Sequence, residues 1–223
     1  KGRKRSSPGS NACSVGCSFR PRSPSAAIAS SRPSASSRLG STLPKPTKRP
    51  PDRSQIDAIS ALSGASTTLK PATSAIVFVV DGLGAANLAA RRGHARFLAE
   101  RAPKGAVART VFPSTTAAAL TSLLTGADPG EHGIVGYRVR IPGTDAAPNQ
   151  LHGWETDGLD PRSWQRAQPL MERERAAGRP TFVVSRPEYI GSGFTAATLR
   201  GADISGIRDL SARVGRAAEL AAE

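Results

Sequence analysis

An acidic residue directly follows the most apolar stretch of the chain. Residues 75–80 (AIVFVV) are β-branched, aromatic or small, and Asp81 and Gly82 come next. Such a run predicts a strand that is buried on both faces, as in a parallel sheet. A carboxylate at its end would lie at the carboxyl edge of the sheet, where open α/β sheets bind ligands. Taken alone, an Asp-Gly pair after a strand is more typical of a turn than of a ligand.

Hydroxyl side chains open the next helical segment. Residues 112–116 (FPSTT) lead into the Ala/Leu-rich segment 116–125, which predicts a short helix ended by Gly126. A hydroxyl at a helix start usually caps the helix. The same position also suits catalysis, because free N–H groups and the helix dipole would stabilise an alkoxide and an attached phosphoryl group. A Thr hydroxyl needs a metal or a base to become a nucleophile.

A glycine-rich loop with one histidine follows this helix. Residues 124–137 (LTGADPGEHGIVGY) form a tight excursion that returns the chain towards the sheet edge. His132 has no second histidine at metal-ligand spacing, since His94 and His152 are remote in sequence. We therefore expect His132 to make structural hydrogen bonds.

These features occur in a fixed order: a strand ending in Asp81, then Phe-Pro-x-x-Thr at a helix start, then Thr-Gly-x-x-Pro-x-x-His-Gly-Ile-Val. Together they resemble the nucleotide pyrophosphatase/phosphodiesterase branch of the alkaline phosphatase superfamily, most strongly over residues 75–137. The resemblance implies that Asp81 is a zinc ligand and that Thr116 is the nucleophile, its hydroxyl activated by the metal. Thr115 stands next to Thr116 and remains open as the attacking group.

The resemblance also implies a reaction and a cofactor. A member of this family hydrolyses phosphodiester or pyrophosphate bonds in a small-molecule or nucleotide substrate, through a covalent phospho-threonine, with two zinc ions clamping the phosphate. Where many members carry an Asn that binds a phosphoryl oxygen, this chain has Tyr137. By resemblance Tyr137 is the substrate-binding residue, although a phenol donates only one hydrogen bond.

The sequence departs from the family most at the remaining zinc ligands. The family takes these from a downstream Asp-x-x-x-His, an Asp-His pair and a final His, but no histidine follows His152 in this sequence. A catalytic zinc normally has three or more protein ligands. We therefore expect a chain that is truncated at its C-terminus, binds zinc at most weakly and is inactive by itself.

Helical and strand patterns alternate around these residues. The spacing of apolar residues and the breaker residues predict helices over 56–62, 85–101, 116–125, 169–177 and 207–222, and strands over 75–80, 106–111, 137–141, 181–185 and 195–199. This alternation predicts an α/β fold with a mainly parallel sheet flanked by helices. The resemblance implies that this fold is alkaline phosphatase-like.

The N-terminal quarter has a different composition from the rest of the chain. Residues 1–55 are rich in Ser, Pro and Arg, and they supply +11 of the net charge of +14. Such a segment buries too little apolar surface to offset its ordering entropy, so we predict a disordered basic tail over 1–55 and a hydrolase domain over 56–223. An alternative function follows from the charge: a non-catalytic protein whose tail binds nucleic acid without sequence specificity. The tail has one aromatic residue, Phe19, so base stacking is poorly supported and nucleic acid is an unlikely partner.

The compartment is only weakly indicated. The two cysteines, Cys13 and Cys17, match no common zinc or redox spacing and form no disulfide framework. The longest purely apolar run is far shorter than the roughly 20 residues that span a bilayer, and no apolar region follows the basic N-terminus as in a secretory signal. We expect no membrane partner and a cytoplasmic protein.

Overall fold

A computed structural model of the chain describes residues 14–18, 54–66, 69–102, 107–154 and 158–223, with side chains from residue 58 onwards. Within these ranges the strands are β1 (Ser14–Ser18), β2 (Ile76–Val80), β3 (Phe182–Ser185) and β4 (Asp203–Gly206). The helices are α1 (Ser54–Leu62), α2 (Ala85–Ala90), α3 (Arg96–Arg101), α4 (Thr116–Thr125), α5 (Pro129–His132), α6 (Pro161–Trp164), α7 (Leu170–Ala176), α8 (Gly193–Thr198) and α9 (Leu210–Ala222). A 3₁₀ turn covers Pro187–Tyr189. The predicted mixture of helix and strand is confirmed.

The four described strands form one sheet in the order β2-β1-β3-β4. β1 is antiparallel to both of its neighbours, with Gly16 opposite Phe78 on one side and Val184 on the other. β3 and β4 are parallel, with Val183 opposite Ile204. Because β1 runs against both neighbours, β2, β3 and β4 all point in the same direction. The prediction of a parallel sheet is therefore confirmed in part: β3 and β4 pair in parallel and three strands share one direction, whereas both pairings of β1 are antiparallel.

The position of β1 is the main difference from the sequence prediction. Ser14–Ser18 lies inside the segment for which the composition predicts disorder, yet it pairs with two strands. Its five residues are small and uncharged and include no proline, so backbone pairing accommodates them in a central strand. Ser54 and Gln55 belong to α1. The other residues of the predicted tail lie outside the described part of the chain.

Helices cover both faces of the sheet and create two apolar clusters on it. On one face, Val183 packs with Leu124 of α4 and Met171 of α7, and partly buried side chains of α1 join them. On the other face, Val184 packs with Ala217 and Leu220 of α9. Successive strand residues point to opposite faces, so the neighbours Val183 and Val184 anchor the two layers. Each such fully buried aliphatic side chain contributes about 1.5–3 kcal/mol.

Strand β2 is only half covered, so the prediction of burial on both faces is wrong. Val77 and Val79 pack against the cluster around Leu124. Ile76, Phe78 and Val80 point the other way and are 47%, 54% and 39% exposed. The reason is positional: β2 is an edge strand of the described sheet, and the described residues cover one of its faces incompletely.

Several predicted elements differ from the structure for local reasons. The helix predicted over 85–101 is two helices, separated by a turn that contains Gly93. Residues 107–111 of the predicted strand 106–111 form no strand, and 137–141 contribute only one isolated bridge, between Arg138 and Asn149. Residues 195–199, predicted as a strand, lie largely in α8, because the Ser192 hydroxyl accepts a hydrogen bond from the Thr195 N–H and starts a helix there.

A buried histidine fastens α4 to the loop that follows α5. The His132 side chain is fully buried, with Nε2 2.9 Å from the Ser122 hydroxyl and Nδ1 3.1 Å from the Ile134 N–H. Because Nδ1 accepts from an N–H, the neutral ring carries its proton on Nε2 and donates it to Ser122. Burial lowers the pKa of His132 from 6.5 to about 4. The prediction of a structural hydrogen-bonding role is confirmed.

The buried imidazole makes the fold sensitive to acid. Between about pH 6.5 and pH 4 the unfolded chain binds a proton at His132 that the folded chain does not, so stability falls as the pH drops through this window, by on the order of 3 kcal/mol in total. H132Q should lower stability at neutral pH and flatten its decline in acid, as measured by urea unfolding across the window. H94Q, at an exposed histidine, is the control. An H132Q profile as steep as the parent profile would contradict the assignment.

A second prediction concerns the contact between α8 and the loop before α6. A Cβ at Gly193 would overlap with Cβ and Cγ of Trp154, which is fully buried. G193A should therefore destabilise the fold by about 2–3 kcal/mol, since neither group has room to move. G215A is the matched control: Gly215 lies exposed within α9, where an added Cβ meets nothing within 4 Å. G215A should stabilise the fold by about 0.5–1 kcal/mol. Thermal unfolding in which G193A is more stable than G215A would refute the packing argument.

Candidate functional site

The carboxylate of Asp81 is placed by a turn at the end of β2. Asp81 is the first residue after the strand, and the Leu83 N–H donates to the Val80 carbonyl across the turn at 3.4 Å. Gly82 has a φ of +77°, which favours glycine at the third position of such a turn. The Asn87 side chain donates to the Gly82 carbonyl at 3.4 Å. The turn thus leaves the Asp81 side chain partly buried at the carboxyl end of the strand.

The two neighbouring threonines at the start of α4 have different partners. Thr115 is the N-cap residue, and its hydroxyl oxygen accepts from the Ala118 N–H at 3.3 Å. Thr116 is the first residue of the helix, and its hydroxyl donates to Oδ2 of Asp81 at 3.1 Å. The structure therefore brings together the two residues that the sequence pairs as site residues, across 35 positions of the chain. The oxygen of Thr115 is used in capping, whereas that of Thr116 faces a carboxylate.

The first turn of α4 also offers backbone donors beside the Thr116 hydroxyl. The Ala118 N–H donates to the Thr115 hydroxyl and the Ala119 N–H donates to the Thr115 carbonyl. The N–H groups of Thr116 and Ala117 have no acceptor within the described residues. Ala117 and Ala118 are fully buried, so this end of the ten-residue helix is firmly packed. Unpaired N–H groups and the positive end of the helix dipole form an environment that favours an anion such as a phosphoryl group.

Tyr137 makes different contacts from this pair. Its side chain is about half exposed, and its carbonyl accepts from the Gln150 N–H at 2.7 Å. Among the described residues, no hydrogen bond joins its phenol to Asp81 or Thr116. His132 is likewise excluded as a ligand at this site, because both of its ring nitrogens are already hydrogen-bonded.

The described residues do not by themselves fit a zinc centre. The pair offers one carboxylate and one hydroxyl, whereas catalytic zinc normally has three protein ligands. Within the described part of the chain, no group of three or more His, Cys, Asp and Glu side chains could hold a metal ion. Asp81 forms no ion pair with any described residue, so no cation of the described part of the chain compensates its charge. We therefore derive no chemical step through a metal from these residues.

A buried glutamine supports the loop that carries Tyr137, and the sequence patterns did not reveal it. The Gln150 side-chain oxygen accepts from the Trp164 indole N–H at 2.7 Å. The backbone carbonyl of Gln150 accepts from the Trp154 indole N–H at 2.9 Å. Trp154 also packs with Ala117 and Ile134 in a buried cluster. The loop is thus fixed to α4 next to Thr116. A glutamine between Asn149 and Leu151 carries no signal for this role in the sequence.

No helix among the described residues is long and apolar enough to cross a membrane. Searches of curated proteins and of solved structures each returned no significant match. A family model described as Type I phosphodiesterase / nucleotide pyrophosphatase matches residues 75–204, more than half of the chain. The match begins at the strand that positions Asp81 and includes all of α4 and the following loop. This chain therefore belongs to the type I phosphodiesterase/nucleotide pyrophosphatase family.

Proposed function

We propose that Thr116 is the nucleophile of a phosphodiester or pyrophosphate hydrolase site and that Asp81 orients its hydroxyl. The observation that supports this most directly is the 3.1 Å hydrogen bond from the Thr116 hydroxyl to Oδ2 of Asp81. A hydroxyl that donates to a carboxylate keeps its lone pairs available for attack and has an acceptor for its proton. Thr115 is a poorer candidate, because its oxygen caps α4.

The reaction would form and break bonds in two steps. The Thr116 oxygen attacks phosphorus while the bond to the leaving-group oxygen breaks, and the hydroxyl proton passes to Asp81. The product of this step is a phospho-threonine, which water then cleaves in a second in-line attack. The N–H groups of Thr116 and Ala117, which take no acceptor within the described residues, would bind the phosphoryl oxygens. Tyr137 remains the proposed substrate-binding residue.

Zinc belongs to this proposal as the cofactor of a complete family domain. Two ions would neutralise charge on the phosphate and activate the nucleophile. Asp81 and Thr116 are the residues of this chain that would contribute to such a centre, and they fall short of a full ligand set. We therefore propose that this chain binds zinc weakly and does not turn over substrate by itself. Nucleotides and other small phosphodiesters are the proposed substrate class, and the cytoplasm is the proposed compartment.

The inactivity proposal is tested with bis-p-nitrophenyl phosphate. The purified chain should release no p-nitrophenol above the buffer blank, with or without added zinc, because its ligand set is incomplete. The parent, T116A and T115A are assayed together, and circular dichroism confirms that each is folded. Release that T116A abolishes and T115A retains would refute the inactivity and support the nucleophile. Release that T115A abolishes and T116A retains would refute Thr116 as nucleophile.

The pairing of Asp81 with Thr116 is tested separately from turnover. In a double-mutant cycle of D81N and T116V, the coupling energy should be about 0.5–1.5 kcal/mol, because the Asn oxygen can still accept from the hydroxyl and the cycle measures the extra strength that the carboxylate charge gives the bond. The matched cycle of D81N and T115V should show coupling near zero, although T115V loses about 1 kcal/mol through the cap. Equal coupling in the two cycles, measured by chemical denaturation, would remove the basis for choosing Thr116.

A further inference from the structure

The loop after Tyr137 folds back on itself and encloses a cleft. An isolated bridge joins Arg138 to Asn149, and the Gln150 N–H donates to the Tyr137 carbonyl at 2.7 Å. The far end of the loop is closed by a bond from the Ile141 N–H to the Ala146 carbonyl at 2.9 Å. These backbone hydrogen bonds join the two arms of the loop formed by residues 137–150.

The cleft has the size of a small-molecule site. Its volume is about 420 Å³, within the range of roughly 300–1,000 Å³ that ligand pockets occupy. It is lined by Arg138, Ala146, Ala147, Pro148, Asn149, His152 and Gly153. Three of these carry side-chain hydrogen-bond donors, the others are small or apolar, and none of these described lining residues is acidic. Donor groups among small and apolar residues are suited to an anionic group.

The orientation of two donors is fixed by hydrogen bonds within the loop. The Arg138 guanidinium donates to the Ala147 carbonyl at 3.1 Å, which uses one of its five N–H groups and holds it against the cleft wall. The Asn149 side-chain oxygen accepts from the Leu151 N–H at 2.8 Å. Its NH₂ group therefore faces the other way and has no partner among the described residues. His152 presents an imidazole, which donates one hydrogen bond even when neutral.

The charge around the cleft is also favourable. The nearest acidic residue in sequence, Asp145, pairs with Arg140 at 2.8 Å on the exposed end of the loop, so its charge is compensated. Leu151 and Trp154 flank the lining residues His152 and Gly153 in sequence and pack into the cluster that contains Ala117, so the segment that carries these two lining residues is anchored. A guanidinium is well suited to phosphate, which accepts two parallel N–H bonds from it.

We propose that this cleft binds the phosphate group of a small-molecule ligand through Arg138, Asn149 and His152. The inference depends on residues other than Asp81 and Thr116, so it stands or falls independently of the proposed catalytic pair. Free phosphate and the phosphate of a nucleotide share the recognised chemistry, and the experiment distinguishes them.

The experiment is an NMR titration of the isotope-labelled chain with inorganic phosphate, AMP and adenosine, at constant ionic strength maintained with chloride. Phosphate and AMP should shift the Arg138 Nε–H, the Asn149 side-chain NH₂ and the Gly153 amide, and adenosine should not. Tighter binding of AMP than of phosphate would identify a nucleotide as the source of the group, and equal affinities would identify free phosphate.

Variants decide whether the cleft itself is responsible. R138Q should weaken binding about tenfold, as expected for the loss of a charge-assisted hydrogen bond. N149D keeps the oxygen that accepts from Leu151 but places a carboxylate in the cleft, so it should abolish binding with the loop still folded. R173Q removes the same charge from an exposed position in α7 and should have no effect. The proposal is wrong if chloride alone causes the same shifts, if adenosine binds as well as AMP does, or if R173Q weakens binding as much as R138Q.

Discussion

The site depends on a hydrogen bond between two chain positions that only the fold brings together. Asp81 ends a strand and Thr116 begins a helix, and their side chains meet at 3.1 Å. That distance requires α4 to lie with its N-terminus at the carboxyl end of β2. Leu124 fixes the other end of α4 in the cluster on the sheet, and Ala117 fixes the near end against Ile134 and Trp154. Loss of either cluster would therefore move the Thr116 hydroxyl away from the Asp81 carboxylate, although both residues would still be present in the chain.

Buried polar groups hold the surroundings of this pair in one arrangement. His132 connects α4 with the segment after α5, and Gln150 connects two tryptophans with the loop that carries Tyr137. A buried polar group costs free energy unless it is paired, so each of these side chains favours the one loop geometry that satisfies it. The same loop encloses the proposed phosphate cleft. One set of polar contacts therefore defines both the approach to Thr116 and the orientation of Arg138.

Local signals in the sequence predicted the parts of the fold that have local causes. The helix over 116–125 has a capping hydroxyl before it and Gly126 after it, and both mark its ends in the structure. The three consecutive motifs placed Asp81 and Thr116 in one site because each follows a recognisable element. The pairing of β1 between β2 and β3 could not be predicted, since strand order depends on contacts remote in sequence. The exposure of one face of β2 was missed for the same reason: an apolar run indicates a strand but not how many of its faces are covered. Tyr137 was assigned through resemblance alone, and its position depends on Gln150, which no motif marks.

Electrostatics explain why a hydroxyl beside a carboxylate is not by itself sufficient for the proposed reaction. A phosphodiester carries one negative charge, and the Asp81 carboxylate beside Thr116 carries another. The N-terminus of α4 supplies the equivalent of about half a positive charge, which does not cancel the repulsion between them. Among the described residues, none forms an ion pair with Asp81. The carboxylate that accepts from the Thr116 hydroxyl would therefore also oppose the approach of a phosphodiester, unless a cation lies between them. Asp81 can orient the Thr116 hydroxyl, whereas the positive charge that would offset the carboxylate and the phosphodiester has to come from groups other than the described residues.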